Sequence, residues 1–90
     1  MYKLKYYNSF LRDIKRCIKQ NKDMEKFKAI NNLLIIGAKL PAKYKDHALI
    51  GNWKGYRECH IQPDWLLIYK IDDIEKIIFF ARIGSHSELF

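Results

Sequence analysis

Trp65-Leu66-Leu67-Ile68-Tyr69 is apolar at every position. Side chains of a β-strand point alternately to opposite faces, so a strand without a polar parity needs cover on both. The stretch therefore reads as the heart of a central strand, Trp65 to Ile71, and the rest of the chain must supply strands beside it and a layer over it. Upstream, Tyr56 to Ile61 reads as a second strand, joined to the first by Gln62-Pro63-Asp64, with proline at the second position of the turn. Downstream, Asp72-Asp73 turns the chain and Ile77 to Ile83 forms a third strand, completing an antiparallel meander. The cover comes from the N-terminal half. Met1 to Tyr6 alternates as a short strand does, and Asn8 and Ser9 are N-cap residues ahead of Phe10, Leu11, Ile14, Cys17 and Ile18 at helical spacing. Arg12, Lys15, Arg16 and Lys19 occupy the other face of that helix. Asp23 caps a second helix whose inward residues are Met24, Phe27, Ile30, Leu33 and Leu34, and Gly37 stops it. The few residues around Asn21 between the helices predict an antiparallel hairpin. Leu40 to His47 reads as irregular, and Gly51 and Gly55 punctuate the segment between His47 and the Tyr56 strand. The expectation is an α+β fold in the order β-α-α-β-β-β: a small antiparallel-rich sheet with an N-terminal helix hairpin on one face, forming one domain over residues 1–90.

The composition agrees with a packed domain. At 49% hydrophobic and 14% aromatic, the chain has enough apolar surface for a core and does not resemble a disordered segment. Cys17 and Cys59 have no metal-binding spacing and are too few for a disulfide scaffold, so both are expected to be reduced and structural. The first residues carry alternating charge with no apolar run behind them, unlike a signal peptide, and apolar runs such as Leu33 to Ile36 and Ile77 to Ala81 are too short to span a bilayer. A cytoplasmic protein with no membrane partner is the expectation. The net charge of +7 is uneven: residues 1–47 hold twelve Lys/Arg against four Asp/Glu, and residues 48–90 hold five against six. With Lys39, Lys43 and Lys45 clustered in one connecting segment, this excess suits a polyanionic partner.

All three histidines, His47, His60 and His86, fall where an element ends or a loop begins. Three such positions can converge on one sheet face, with Asp64 across the Pro63 turn from His60. Cleaving RNA needs little more. The 2′-hydroxyl is the nucleophile; the protein must accept its proton, give one to the leaving 5′-oxygen and offset charge on the phosphoryl oxygens. Histidine suits both proton roles near neutrality. Lys54, Arg57 and Arg82 are candidate phosphate contacts, and Trp53, Tyr56 or Phe90 a candidate base platform. The bland readings stand beside these. Trp53, Tyr56 and Trp65 suit a core or its edge, and Arg57 and Arg82 suit ion pairs within the sheet. A metal on the histidines is the weaker reading, because no pair has the close spacing of a zinc motif; no metal and no cofactor is expected.

Tyr44-Lys45-Asp46-His47-Ala48-Leu49, Gly51-Asn52-Trp53-Lys54-Gly55-Tyr56-Arg57-Glu58-Cys59-His60, Pro63-Asp64-Trp65-Leu66-Leu67-Ile68-Tyr69-Lys70 and Arg82-Ile83-Gly84-Ser85-His86-Ser87-Glu88-Leu89-Phe90 together carry a more specific signal. They closely resemble the YafQ branch of the RelE-like toxins of bacterial toxin–antitoxin systems, densely from Leu40 to Phe90 and more loosely before it. The resemblance implies a microbial RNase fold and a metal-independent toxin that cleaves mRNA on the ribosome. It also implies a cognate antitoxin, and contact with operator DNA only through the complex with it. Carried over by position, His47, His60, Asp64 and His86 match the active site, with His86 and Asp64 placed for proton transfer and His60 and His47 for orientation or charge. Phe90 matches a C-terminal aromatic that places substrate, Arg82 is chosen for phosphate stabilisation, and Glu58 stands where the branch commonly has aspartate. The alternatives are a ParE-like toxin directed at gyrase, which needs no histidine cluster, and a non-catalytic RNA-binding protein.

Overall fold

The computed structural model describes residues Met1–Phe90. The elements run β1 (Lys3–Tyr6), α1 (Asn8–Lys19), α2 (Met24–Ile35), β2 (His47–Ala48), β3 (Arg57–Gln62), β4 (Trp65–Asp72), β5 (Ile77–Gly84) and α3 (His86–Leu89), with short 3-10 turns at Ala42–Tyr44 and Gly51–Trp53. They build a five-stranded sheet in the order β1-β5-β4-β3-β2, confirming the α+β class.

The central stretch behaves as its composition requires. Trp65, Leu66, Leu67, Ile68 and Tyr69 are all buried in the sheet's middle strand. Trp65, Leu67 and Tyr69 join Cys59, Ile78, Phe80 and Ile83 under the helix pair, where α1 contributes Phe10 and Cys17 and α2 contributes Ile30 and Leu34. Leu66 and Ile68 face the other way, onto Ala81 and Leu89, with Tyr7, Leu49, Trp53 and Tyr56 closing over them. Both faces are thus covered, one by helices and the other by connecting segments and the C-terminal turn. In β5 an extra residue enters the ladder: Ile68 pairs with Arg82 but Tyr69 with Phe80, skipping Ala81. This bulge resets the alternation, so Phe80 and Ile83 both reach the helix-side core. The cysteines are free and buried, and desolvation raises both thiol pKa values.

Four local features differ from the sequence expectation. β1 pairs parallel with β5, Lys3 opposite Ile77 through Tyr6 opposite Phe80, so the sheet is mixed. The stretch expected to be irregular through His47 holds a 3-10 turn and ends in β2, which pairs antiparallel with β3, His47 opposite Glu58. Neither Asn8 nor Ser9 caps α1. Both lie inside the helix after Tyr7, and the Ser9 hydroxyl instead donates to the Ala81 carbonyl at 2.7 Å, tying α1 to β5. A fourth difference is α3, where a loop was expected. Asp23 does cap α2, accepting from the Glu25 N–H. Gly37 ends that helix with φ +74°, and a Cβ there would stand only 3.2 Å from the Tyr2 ring. No helix is long and apolar enough to cross a membrane.

One buried carboxylate fastens the layers. Asp13 of α1 is 3% exposed. Its Oδ2 accepts from the Ile83 N–H at 3.1 Å and from Arg82 Nε at 2.6 Å, while Oδ1 accepts from Arg82 Nη2 at 3.1 Å. A buried acceptor this heavily used leaves donors stranded when removed. Asp13→Ala is expected to destabilise the fold by about 3 kcal/mol, the low end for breaking a buried charge pair. Denaturant unfolding checks it; a loss under about 1 kcal/mol, the worth of a single ordinary hydrogen bond, contradicts it.

Candidate active site

The helix-free face of the sheet gathers the histidines. His60 stands opposite Leu66, and Glu58 stands opposite both Ile68 and His47, so His47, Glu58 and His60 project to the same side as Leu66 and Ile68. β5 then ends at Gly84 and the chain turns into α3, which brings His86 over that side. Ring centroids are 6.3 Å apart for His47 and His60, and 5.8 Å for His60 and His86. Phe90 follows, 60% exposed, its ring 6.5 Å from His86.

Each ring is held by a different device. For His86 it is a helix start. Ser85 and Glu88 form a reciprocal capping box: the Glu88 N–H donates to Ser85 Oγ at 3.3 Å, and the Ser85 N–H donates to Glu88 Oε1 at 2.8 Å. Glu88 is anchored in turn by Arg16, 3.0 Å from its Oε2, and Leu89 is buried beneath. Gly84 permits this approach, since a Cβ there would come within 2.8 Å of Arg16 and 2.9 Å of Glu88. The His86 N–H then donates to Asp64 Oδ1 at 2.9 Å, and the ring Nδ1 lies 2.9 Å from the same oxygen. These bonds, backbone first and ring second, hold the Asp64 carboxyl below the usual aspartate range. A carboxylate only accepts, so Nδ1 carries the proton and Nε2 is left for a substrate.

His47 and His60 share a carboxylate. Glu58 is 5% exposed, and its Oε1 lies 3.3 Å from His60 Nε2 and 3.6 Å from His47 Nε2. The Nδ1 of His47 donates to the Lys45 carbonyl at 2.8 Å. Lys45 sits in the left-handed region (φ 50°, ψ 41°), which turns that carbonyl toward the ring. The segment before β2 is pinned by Asp46, which accepts from Arg57 Nε at 3.1 Å, from Arg57 Nη2 at 2.8 Å and from the Tyr69 hydroxyl. Burial and that carboxylate raise the Tyr69 pKa, so the hydroxyl remains a donor.

The structure therefore brings together His47, Glu58, His60, Asp64, His86 and Phe90. It does not bring in the three candidate phosphate contacts as free cations beside the rings. Arg57 is paired with Asp46, and Arg82 commits Nε and Nη2 to Asp13, which raises both guanidinium pKa values further. Lys54 is exposed after the second 3-10 turn. Of the aromatic candidates, Trp53 and Tyr56 lie in the second core cluster and Trp65 is fully buried. The positioning groups Lys45, Asp46, Tyr69, Ser85 and Glu88 do not stand out in the sequence as site residues. Of these only Ser85-x-x-Glu88 carries a readable signature. One ring nitrogen each of His60 and His86 and one Glu58 oxygen lie within 4.8 Å of one another, a donor set a transition-metal ion would accept.

Known proteins share this arrangement of elements. Residues 2–90 match the family model described as bacterial toxin of type II toxin–antitoxin system, YafQ. The chain is 48% identical to the mRNA interferase toxin YafQ of Escherichia coli K12 across 97% of its own length and 94% of the relative's. It superposes on the toxin of the E. coli DinJ–YafQ complex with a TM-score of 0.91 at 46% identity, covering 100% of this chain and 99% of that one. A metal-bound toxin from Helicobacter pylori gives 0.93 at 40% identity, with both chains fully covered.

The Asp64–His86 contact has a direct spectroscopic consequence. Because one of its two main bonds comes from the His86 ring and the other from the backbone, His86→Ala should raise the Asp64 pKa part of the way back to the ordinary value. Carboxyl-carbon NMR titration of the two proteins checks this; an unmoved Asp64 contradicts the contact.

Proposed function

The chain belongs to the YafQ family of type II toxins and is an mRNA interferase, an endoribonuclease; from that premise we propose that it cuts RNA without a metal, by attack of the RNA's own 2′-hydroxyl, on the cluster around His86. The single observation that carries the reading is the convergence of His47, His60 and His86 on two carboxylates.

His86 is the residue placed to move a proton. Asp64 fixes its tautomer and orientation and leaves Nε2 free, so Asp64 acts through His86 as a positioning residue. His60, 5.8 Å away between ring centroids, is the second proton-transfer group, so one ring takes the 2′-hydroxyl proton while the other protonates the leaving 5′-oxygen. His47, held by the Lys45 carbonyl and facing buried Glu58, orients the phosphoryl group beside the other two rings. Arg82 commits Nε and Nη2 to Asp13 and so serves the fold, leaving the phosphoryl oxygens to other groups. Exposed Phe90 beside His86 gives a base a surface to stack on. The Glu58, His60 and His86 donors suit a transition-metal ion as well, yet such an ion would engage the very lone pairs that proton transfer needs. Added zinc is therefore expected to inhibit.

The toxin's partner is a cognate antitoxin, as DinJ is for YafQ in the solved E. coli complex. We place the reaction on the ribosome, in the cytoplasm, with operator DNA met only through the antitoxin complex. The electrostatics favour an antitoxin that is acidic where it crosses the basic N-terminal half. A gyrase-directed toxin would have no use for three histidines held in mutual register.

Replacing His86 by alanine is the test. Cleavage of mRNA on programmed ribosomes should fall by about 10²–10⁴-fold, the usual worth of a positioned acid or base, while binding to the RNA stays near wild type. Unchanged cleavage by His86→Ala would overturn the site, and equal loss of binding and cleavage would reduce His86 to a binding residue.

A further inference from the structure

Two of the three lysines that the sequence places together, Lys43 and Lys45, line a cavity with Lys26. A depression of about 400 Å³ opens beside His60, between α2, the first 3-10 turn and the end of β3. Its cationic lining is Lys26 from α2 with Lys43 and Lys45 from the segment leading to β2; Tyr44 and the β3 end from His60 to Pro63 complete it, and no carboxylate lines it. None of the three ammonium groups takes part in any ion pair of the molecule. Lys43 Nζ is instead poised 5.1 Å from the Tyr44 ring centroid. This differs from the lysines along the outer face of α1, which stand on a convex surface where water screens them. A concave site with walls of low polarisability concentrates the field of its charges.

The cavity is also in fixed register with the catalytic rings. His60 belongs to both, presenting its ring to Glu58 and lining the depression. Lys45 belongs to both as well: it lines the cavity while its carbonyl holds His47 at 2.8 Å. A polyanion whose reacting phosphate lies between His60 and His86 therefore meets the lysines as it runs off the β3 edge. We propose that this cavity is a second phosphate subsite, which holds the phosphodiester adjoining the one that is cut and so sets the RNA's register on the histidines. The proposal rests on the nuclease reading above. It assigns Lys26 and Lys43 as substrate-positioning residues outside the histidine cluster. Their contacts to phosphate are charge-assisted hydrogen bonds, indifferent to base identity.

The experiment couples the lysines to one phosphate. Wild type, Lys26→Gln, Lys43→Gln and the double variant are tested on a short RNA with a 2′-deoxy residue at the cut position, so that binding is measured without cleavage. In a matched set, single neutral methylphosphonate linkages replace the phosphates one at a time. Lys45 is left intact because its backbone orients His47. Cleavage of the unmodified RNA by wild type, on programmed ribosomes if required, establishes the nuclease reading independently. The double variant is expected to bind the all-phosphate RNA about tenfold more weakly, with the slope of log affinity against log salt reduced by about 0.7, the value for one single-strand phosphate contact. A methylphosphonate next to the cut should cost wild type the same factor and cost the double variant nothing more, while neutral linkages farther away remain additive. Additive losses at every linkage would overturn the proposal. So would variants that keep full RNA affinity and lose only affinity for the antitoxin, which would make the cavity a protein contact.

Discussion

A strand apolar on both faces cannot stop at one covering layer, and the rest of this structure depends on that constraint. Trp65 to Tyr69 lie at most 1% exposed in the middle of the sheet. The helix hairpin covers one face with a continuous apolar layer, as helices do over a sheet. No helix hairpin remains for the other face, so it is closed by Tyr7, Leu49, Trp53, Tyr56 and Leu89 from connecting segments. Those segments also carry residues of the proposed site. Leu49 follows β2 and His47, while Leu89 sits in the turn that begins with His86. Burying Leu66 and Ile68 thus draws two histidines onto the face where His60 already points.

The charge distribution gives the same segments their chemistry. Buried or half-buried carboxylates each hold a cation or a ring in place: Asp13 the Arg82 fork, Asp46 the Arg57 fork, Glu58 the histidines of β2 and β3. The arginines expected to meet phosphate are instead used to fasten the sheet to α1 and to the segment before β2. Positive charge for a substrate is left to the unpaired lysines. This division separates the charges that stabilise the fold from those free to be neutralised by RNA, and only the latter should carry the salt dependence of binding.

Much of this is legible in the sequence, for reasons that can be named. Two-sided apolarity in Trp65–Tyr69, helical spacing from Phe10 to Ile18 and the Gly37 stop are local patterns, and each matches the structure to within a residue or two at its ends. The parallel pairing of β1 with β5 is not legible, because four alternating residues say nothing about which edge they join. β2 escapes a sequence reading because two residues have no period; it exists only because β3 offers an edge. Ser9 has the residue type of a cap, yet its hydroxyl bonds a carbonyl 72 residues away. At the site, the histidines are visible from their type and their places at element ends. That Glu58 reaches two of them, and that Arg82 reaches Asp13, depends on strand register and on a bulge at Ala81 that no local spacing encodes. The Ser85–Glu88 capping box is the local signal that places His86 at a helix start, where the expectation was a loop.

The central claim is that this histidine cluster alone, without a metal, turns the RNA's 2′-hydroxyl against its own phosphodiester. The most direct measurement is the chemical identity of the ends made by purified protein from a defined mRNA, on programmed ribosomes in the presence of zinc- and copper-selective chelator. The account requires a 2′,3′-cyclic phosphate or 3′-phosphate facing a 5′-hydroxyl, at an undiminished rate. A 3′-hydroxyl facing a 5′-phosphate, or cleavage that disappears with the chelator, would contradict it.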